Sequence, residues 1–188
     1  AGIVRVVGAI ALLRKSSPSV YVSASPKDKG HIYAFRAFLA SEHKIVLAHV
    51  TTAGKRYARY QYAVRSDKLA AALAKFGVVP RKSHTAKVKL LENNRHFWRG
   101  VVDGDGYLGI PASGKPHLSL VGSKALLEQF RTFTLTFYSH GVHVRPHKSI
   151  FSTSFICGSA KAVIRELYRD CTIALPRKLK VAREIMSL

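Results

Sequence analysis

The chain has 188 residues, 47% of them hydrophobic, and a mean hydropathy near zero, so it can bury a sizeable core. Its 31 Lys and Arg residues against 10 Asp and Glu give a formal net charge of +21. Such a charge repels itself in a folded protein and indicates a polyanionic partner. Nucleic acid is the leading candidate for this partner, and a ribosomal environment is an alternative. The basic residues are spread along the chain and not gathered on one amphipathic helix, which argues against membrane binding.

Two features of the sequence bear on location. Cys157 and Cys171 lack CxxC spacing, which predicts reduced thiols in an intracellular protein (cytoplasmic, nucleoid or organellar) and argues against a disulfide framework or zinc site. The apolar stretch 1–13 is interrupted by Arg5 and is too short to span a bilayer. We expect it to form a core helix and not a signal peptide.

Hydrophobic periodicity predicts the elements of the first half. Residues 19–25 alternate, with Val20 and Val22 on one face and Tyr21 and Ser23 on the other, as in a half-buried strand. Residues 28–39 predict a helix, 44–51 and 57–65 two strands, and 68–76 a second helix that stops at Gly77.

The second half repeats this order, as helix 97–102, strand 118–121, helix 123–137, strands 142–147 and 150–157, and helix 160–172. Short matches link the halves, among them Phe35-Arg-Ala-Phe38 with Phe130-Arg-Thr-Phe133. We therefore predict a mixed α/β (α+β) monomer made of two pseudo-symmetric units, 1–90 and 96–188, joined at about 91–95.

The predicted strands present a basic, hydrogen-bonding face. In strand 142–147, period two places His143, Arg145 and His147 on one side. A β-ribbon can enter the DNA major groove and read base edges, so we predict DNA contacts at this kind of position. The candidates are Tyr21, Ser23, Ser25, Lys44, Arg59, Gln61, His117, Ser119, His143, Arg145 and His147. A zinc site at His140, His143 and His147 is the alternative, and the nearby charge of Arg145 opposes it.

Two acids follow the apolar helix of the second half. Asp103 and Asp105 sit at its C-terminal end, where the helix dipole disfavours a carboxylate by about 0.3–1 kcal/mol. A divalent cation would compensate, and Mg²⁺ accepts one or two carboxylates plus phosphate and water, so Asp105 is the first candidate ligand. A simple Asp-Gly turn is the alternative. A calcium loop is excluded, because Tyr107, Leu108 and Gly114 stand where that loop requires an oxygen ligand, a glycine and a glutamate, respectively.

The segment Arg99-Gly-Val-Val-Asp-Gly-Asp-Gly106 resembles the signature of the LAGLIDADG homing endonucleases, and Ala1-Gly-Ile-Val-Arg-Val-Val-Gly8 resembles its first copy. The resemblance implies two αββαββα units whose sheets form a saddle over the DNA major groove. It also implies that the last acid of each signature binds catalytic metal. That position is Asp105 in the second copy but Val7 in the first, where Arg5 also stands in place of a frequent acid.

The same resemblance implies further contacts. Arg81-Lys82 and Arg177-Lys178 resemble a Pro-Arg-Lys element and are predicted to clamp phosphates. Strand position alone suggests active-site roles for Arg59, Gln61, Lys148 and Ser154, although ordinary phosphate contact is the preferred interpretation.

The sequence thus predicts a double-stranded DNA-binding protein of the homing-endonuclease type. Because Val7 cannot coordinate metal, we expect Mg²⁺-dependent cleavage to be lost or reduced to nicking. One alternative is a non-catalytic DNA- or RNA-binding protein, such as a repressor or a maturase of intron RNA. The other is a fully active endonuclease that finds a substitute acid.

Overall fold

The computed structural model describes residues 8–11, 19–78 and 85–188. They fall into two compact units, the first with residues 8–11 and 19–78 and the second with residues 85–188. Ala86 and Val88 are buried in the core of the second unit. The side-chain amide of Gln129 accepts the backbone N–H of Val88 at 2.9 Å and donates to its carbonyl oxygen at 3.0 Å. The second unit therefore begins before the joint that the sequence predicts at 91–95.

The described part of the first unit is a four-stranded antiparallel sheet with two helices. Strands β1 (Gly8–Ala11), β2 (Ser19–Ala24), β3 (Ile45–Thr52) and β4 (Lys55–Arg65) lie in the order β1-β2-β4-β3. Helix α1 (Lys29–Phe38) follows β2, and helix α2 (Asp67–Lys75) follows β4. The hydroxyl of Ser66 accepts the backbone N–H of Leu69 and so caps α2.

The second unit repeats the described part of the first and also contains helices before and after it. Helix α3 (Arg95–Asp105) leads into β5 (Gly106–Gly109), followed by β6 (His117–Gly122), α4 (Lys124–Leu135), β7 (Arg145–His147) and β8 (Ile150–Ile156). Helices α5 (Gly158–Tyr168) and α6 (Pro176–Ser187) complete it. The sheet order is β5-β6-β8-β7, which matches the first unit strand for strand.

The repeat also holds in register. β1 and β5 begin at Gly8 and Gly106, and β2 and β6 begin at Ser19 and His117, in each case 98 positions apart. The matching strand order and register of the two units therefore confirm the predicted duplication. Each unit also confirms the mixed α/β fold class.

Several predicted elements differ from the structure. Residues 8–11 form a strand and not the end of a core helix, because a short apolar run does not distinguish the two. Residues 1–7 and 12–13 lie outside the described residues. Strand 142–147 is shorter than predicted, at Arg145–His147. The αββαββα order includes a strand in the place of β5, but the sequence assigned no residues to it, and the helix α6 was not predicted.

Aromatic contacts mark the core of each unit. In the second unit, Trp98 on α3 packs against Phe130 and Phe133 on α4, with ring centroids 5.1 and 6.0 Å apart. In the first unit, Phe35 on α1 meets Tyr62 on β4 edge to face at 6.0 Å. Phe130 also meets Phe155 on β8 at 5.7 Å, so these contacts lie on the helix-covered face of each sheet, and the opposite face is called the open face. Among the described helices, none is both long and apolar enough to cross a membrane.

Candidate nucleic-acid interface and acidic helix end

Helix α3 ends in a tight corner that determines where its acids lie. Asn94 caps its first turn by accepting the N–H of Phe97 at 3.0 Å. At the other end, Gly106 begins β5 at once, and a Cβ placed there would lie 2.7 Å from the carbonyl oxygen of Val102. Only glycine allows this close approach. The corner fixes Asp105 as the last helical residue.

Asp103 belongs to the interior of the second unit. Its side chain is 4% exposed, and its two oxygens accept the hydroxyl of Tyr168 at 2.6 Å and the backbone N–H of Leu175 at 3.0 Å. Burial, and then the negative charge of Asp103, raises the pKa of Tyr168, so this hydroxyl remains a donor. Asp103 therefore joins α3 to the end of α5 and the start of α6.

Arg99 lies one turn before Asp103 and reinforces the same connection. It is buried, and it donates to the carbonyl oxygens of Ile173 at 2.9 Å and Leu167 at 3.1 Å. Its Nη1 also lies 3.0 Å from Nδ1 of His96. Burial, followed by the charges of Arg99 and Arg95, lowers the pKa of His96, which favours the neutral ring as an acceptor.

Lys178 has a position that the sequence did not predict. It is 4% exposed, and its ammonium donates to the carbonyl oxygens of Val102, Asp103 and Gly106 at 2.5, 2.9 and 2.5 Å. A cation at a helix C-terminus stabilises the free carbonyls and opposes the helix dipole. This buried position corrects the prediction that Lys178 clamps a phosphate on the surface. It also supplies the compensating charge that the sequence argument had assigned to a metal.

Asp105 differs from Asp103 in its surroundings. It is half-buried, and two residues along a helix place it on the opposite side from Asp103. Within the described residues, no three His, Cys, Asp or Glu side chains come close enough to form a metal site. Mg²⁺ needs only one or two protein carboxylates when phosphate and water complete its shell. A half-buried Asp105 could serve as such a single ligand, whereas Asp103 is only 4% exposed.

The open face of the second unit is polar. Strand pairing aligns Tyr107, Ser119 and Ser154 in one row across β5, β6 and β8. Tyr107 is 49% exposed, and its ring meets His117 edge to face at 5.4 Å. Arg145 and His147 on β7 are exposed at the edge of the sheet. Sequence reasoning missed Tyr107 as a surface residue because it missed β5, although Tyr107 and Leu108 do alternate between exposed and buried.

The open face of the first unit carries more charge. Because Tyr62 is buried against α1, alternation along β4 places Tyr57, Arg59, Gln61 and Arg65 on the opposite face. Lys55 lies on the same face. Tyr21 and Ser23 on β2 lie beside Ala63 and Gln61, although Ser23 is only 7% exposed.

The remaining predicted contacts lie outside the strands or outside the described residues. Ser25 and Lys44 are exposed in the segments that flank α1, His143 precedes β7, and Arg177 is exposed in the first turn of α6. Lys148 is exposed in the β7–β8 turn with φ +52°. Arg5, Val7, Arg81 and Lys82 are outside the described residues, so their predicted roles stay predictions.

Acidic residues are absent from the described strands of both sheets. The eight described strands contain no Asp or Glu, whereas they include Lys55, Arg56, Arg59, Arg65 and Arg145. The excess of basic residues is shared by the two halves, with 14 Lys and Arg against three acids in residues 1–81, and 17 against seven in residues 82–188. Each sheet therefore offers an anion a surface without a competing carboxylate.

Comparison with known proteins identifies the fold. No family model matches the sequence, and no curated protein matches it. Among solved structures, the homing endonuclease I-WcaI bound to its DNA recognition sequence is similar to this chain, with a TM-score of 0.66 and 14% identity. The match covers 92% of this chain and 80% of the I-WcaI chain. The LAGLIDADG homing endonuclease I-LtrWI bound to target DNA matches 96% and 82%, with a TM-score of 0.54 and 11% identity. The chain thus has the fold of the LAGLIDADG homing endonucleases.

The same fold occurs in another kind of protein. Full-length DUF199/WhiA from Thermatoga maritima matches with a TM-score of 0.53 and 14% identity, covering 96% of this chain and 55% of WhiA. The N-terminal LAGLIDADG domain of DUF199/WhiA matches with a TM-score of 0.52 and 12% identity, covering 95% of this chain and 79% of that domain. At these identities the likeness establishes architecture, and function has to be argued from the residues.

Proposed function

We propose that this chain binds double-stranded DNA through the open faces of its two sheets. The observation that carries the proposal is the absence of acidic residues from all eight described strands, in a chain of net charge +21. Antiparallel strands can enter the major groove, where basic and polar side chains meet phosphates and base edges. The solved structures of I-WcaI and I-LtrWI, which share the fold, are bound to DNA.

We further propose that Asp105 is a ligand for a divalent cation, preferably Mg²⁺, when DNA is bound. Its half-buried carboxylate at the end of α3 supports this role. A bound cation would stabilise the negative charge that develops on an attacked phosphate. The ammonium of Lys178 donates hydrogen bonds to the carbonyl oxygens of Val102 and Asp103, and these bonds restrain the backbone next to Asp105.

The first signature copy lacks a matching carboxylate, since Val7 stands at the corresponding position and Arg5 replaces another acid. An apolar side chain cannot bind a hard cation. We therefore propose that cleavage of DNA is absent or limited to nicking of one strand. A fully active endonuclease would need another oxygen ligand in place of Val7.

The second candidate function is binding without catalysis, to DNA or to structured RNA such as intron RNA. Val7 and Arg5 favour it over an intact endonuclease. Open sheets with tyrosine and serine can also stack and bind single-stranded RNA loops. A competition experiment separates the two substrates.

The experiment selects duplexes from a randomised pool and then measures competition by structured RNA of equal length. A charge-matched pair of variants tests the surface. Arg59→Glu with Arg65→Glu reverses two charges on the open face of β4, whereas Lys180→Glu with Arg183→Glu reverses two exposed charges on α6.

DNA binding through the sheets predicts at least about a tenfold loss for the β4 pair and a much smaller loss for the α6 pair, with weak competition by RNA. Equal losses for the two pairs would contradict the proposed surface. Preferential binding of RNA would favour the second candidate function.

A further inference from the structure

We propose that Arg59 reads a guanine in the major groove, and that Gln61 holds its guanidinium in the reading orientation. This inference rests on the proposed function, because it assigns base specificity to one position of the DNA-binding face. It gives Arg59 a different partner from the phosphate contact that its charge alone would suggest.

The two side chains form a bidentate pair along β4. With the Gln61 amide oriented so that its oxygen faces Arg59, that oxygen accepts from Nε at 2.8 Å and from Nη2 at 2.6 Å. Both residues project from the same face because they are two positions apart in a strand. The interaction restricts the long arginine side chain to one orientation on the sheet.

The pairing leaves a specific edge of Arg59 for a ligand. A guanidinium has five N–H donors in a planar fork, and Gln61 occupies the side formed by Nε and Nη2. The outer edge, formed by Nη1 and the second hydrogen of Nη2, presents two parallel donors. That edge matches the O6 and N7 acceptors of guanine, and the resulting contact is the commonest base-specific contact of arginine.

The surroundings of Arg59 favour a base over a phosphate. β4 is an interior strand of the sheet, and Arg59 is half-buried on it. Its cross-strand neighbour on β3 is Ala48, whose small side chain leaves space for an approaching base edge. Because Gln61 is neutral and no acid occurs in the described strands, the pairing orients Arg59 without neutralising it.

Arg65 is the natural comparison on the same strand and the same face. It is the last residue of β4, it is exposed, and it pairs across the sheet with Ser19. An unrestrained cation at the end of a strand is suited to a phosphate, which requires charge but little orientation. Replacing Arg59 should therefore change base preference, whereas replacing Arg65 should change overall affinity.

The experiment determines base preference at every position of a selected duplex for the unmodified chain, Arg59→Ala, Arg65→Ala and Gln61→Leu. Arg59→Ala should lose discrimination at one G·C pair by roughly 5- to 150-fold and keep it elsewhere. Arg65→Ala should weaken binding evenly at all positions and lower the salt dependence by about one phosphate contact. Gln61→Leu removes the acceptor at similar size and should give a partial loss at the Arg59 position. Thermal melting verifies that each variant folds.

Three results would overturn the inference. The first is a loss of affinity in Arg59→Ala that is the same at every position of the duplex. The second is an unchanged base preference in Arg59→Ala, and the third is an unchanged base preference in Gln61→Leu. If the unmodified chain selects no duplex at all, the proposed function fails instead, so the two claims can be separated.

Discussion

The hydroxyl of Tyr168 donates a 2.6 Å hydrogen bond to the buried carboxylate of Asp103. This pair distinguishes two acids that look alike in the sequence. Asp103 is enclosed by protein donors from the α5–α6 region, whereas Asp105, at the end of the same helix, is half-buried. The first stabilises the unit, and the second is the one that we propose as a cation ligand.

Replacing Tyr168 by Phe tests the structural role of this pair. The change leaves one oxygen of a buried carboxylate without its donor, so the free energy of unfolding should fall by about 1–3 kcal/mol in urea titrations. Tyr107→Phe is the matched control, since that tyrosine is 49% exposed, and it should change stability by less than about 0.5 kcal/mol. Equal effects would show that the hydrogen bond contributes nothing.

Replacing Lys178 by Met tests the cap on α3. Three carbonyl oxygens lose a charged donor while the apolar stem is retained, so we expect a loss of at least about 2 kcal/mol in the free energy of unfolding. Lys180→Met makes the same chemical change at an exposed position of α6 and should be nearly neutral. A neutral Lys178→Met would mean that the ammonium is not needed at the helix end.

Replacing each acid by its amide separates the two roles. Asp105→Asn should weaken divalent cation binding in the DNA complex by about tenfold or more while leaving the melting temperature close to that of the unmodified chain. Asp103→Asn should lower the melting temperature, because either orientation of the amide turns its nitrogen toward the Tyr168 hydroxyl or the Leu175 N–H, both of which donate to the carboxylate. Calorimetric titration of Mg²⁺ into the complex, with thermal melting alongside, measures both. The reverse pattern would assign the metal to Asp103.

Salt dependence tests the electrostatic part of DNA binding. If the two sheets together neutralise about eight phosphates, the logarithm of the affinity should fall with the logarithm of salt at a slope near −7. Fluorescence anisotropy with a labelled duplex at several salt concentrations gives this slope. A slope near zero would mean that the net charge of +21 does not act on DNA.

Much of the fold is readable from the sequence because local patterns are strong there. Alternation at Val20 and Val22 and at Leu118 and Leu120 gives the inner strands, and all four side chains are buried. The residues of β5 were not identified because the strand starts directly at Gly106, where the sequence resembles a turn. α6 was missed because its pattern follows Pro176 in a stretch dominated by basic residues.

The candidate site was only partly predictable, for a different reason. The spacing of Asp103 and Asp105 indicates a helix end with acids, but not which acid is enclosed. That depends on Tyr168 and Leu175, which lie more than 60 positions away in sequence. The burial of Lys178 is also a tertiary effect, since a Pro-Arg-Lys segment looks like an exposed phosphate clamp when read alone. Long-range contacts of this kind leave no local signal.

The degenerate first signature is the central element of the functional account, and strand-specific cleavage tests it most directly. The selected duplex is labelled separately on each strand and incubated with Mg²⁺ and either the unmodified chain or the Arg5→Asp, Val7→Asp variant. We expect the variant to cut both strands and the unmodified chain to cut one or neither. Cleavage of both strands by the unmodified chain would contradict it, because Val7 would then be no obstacle to catalysis.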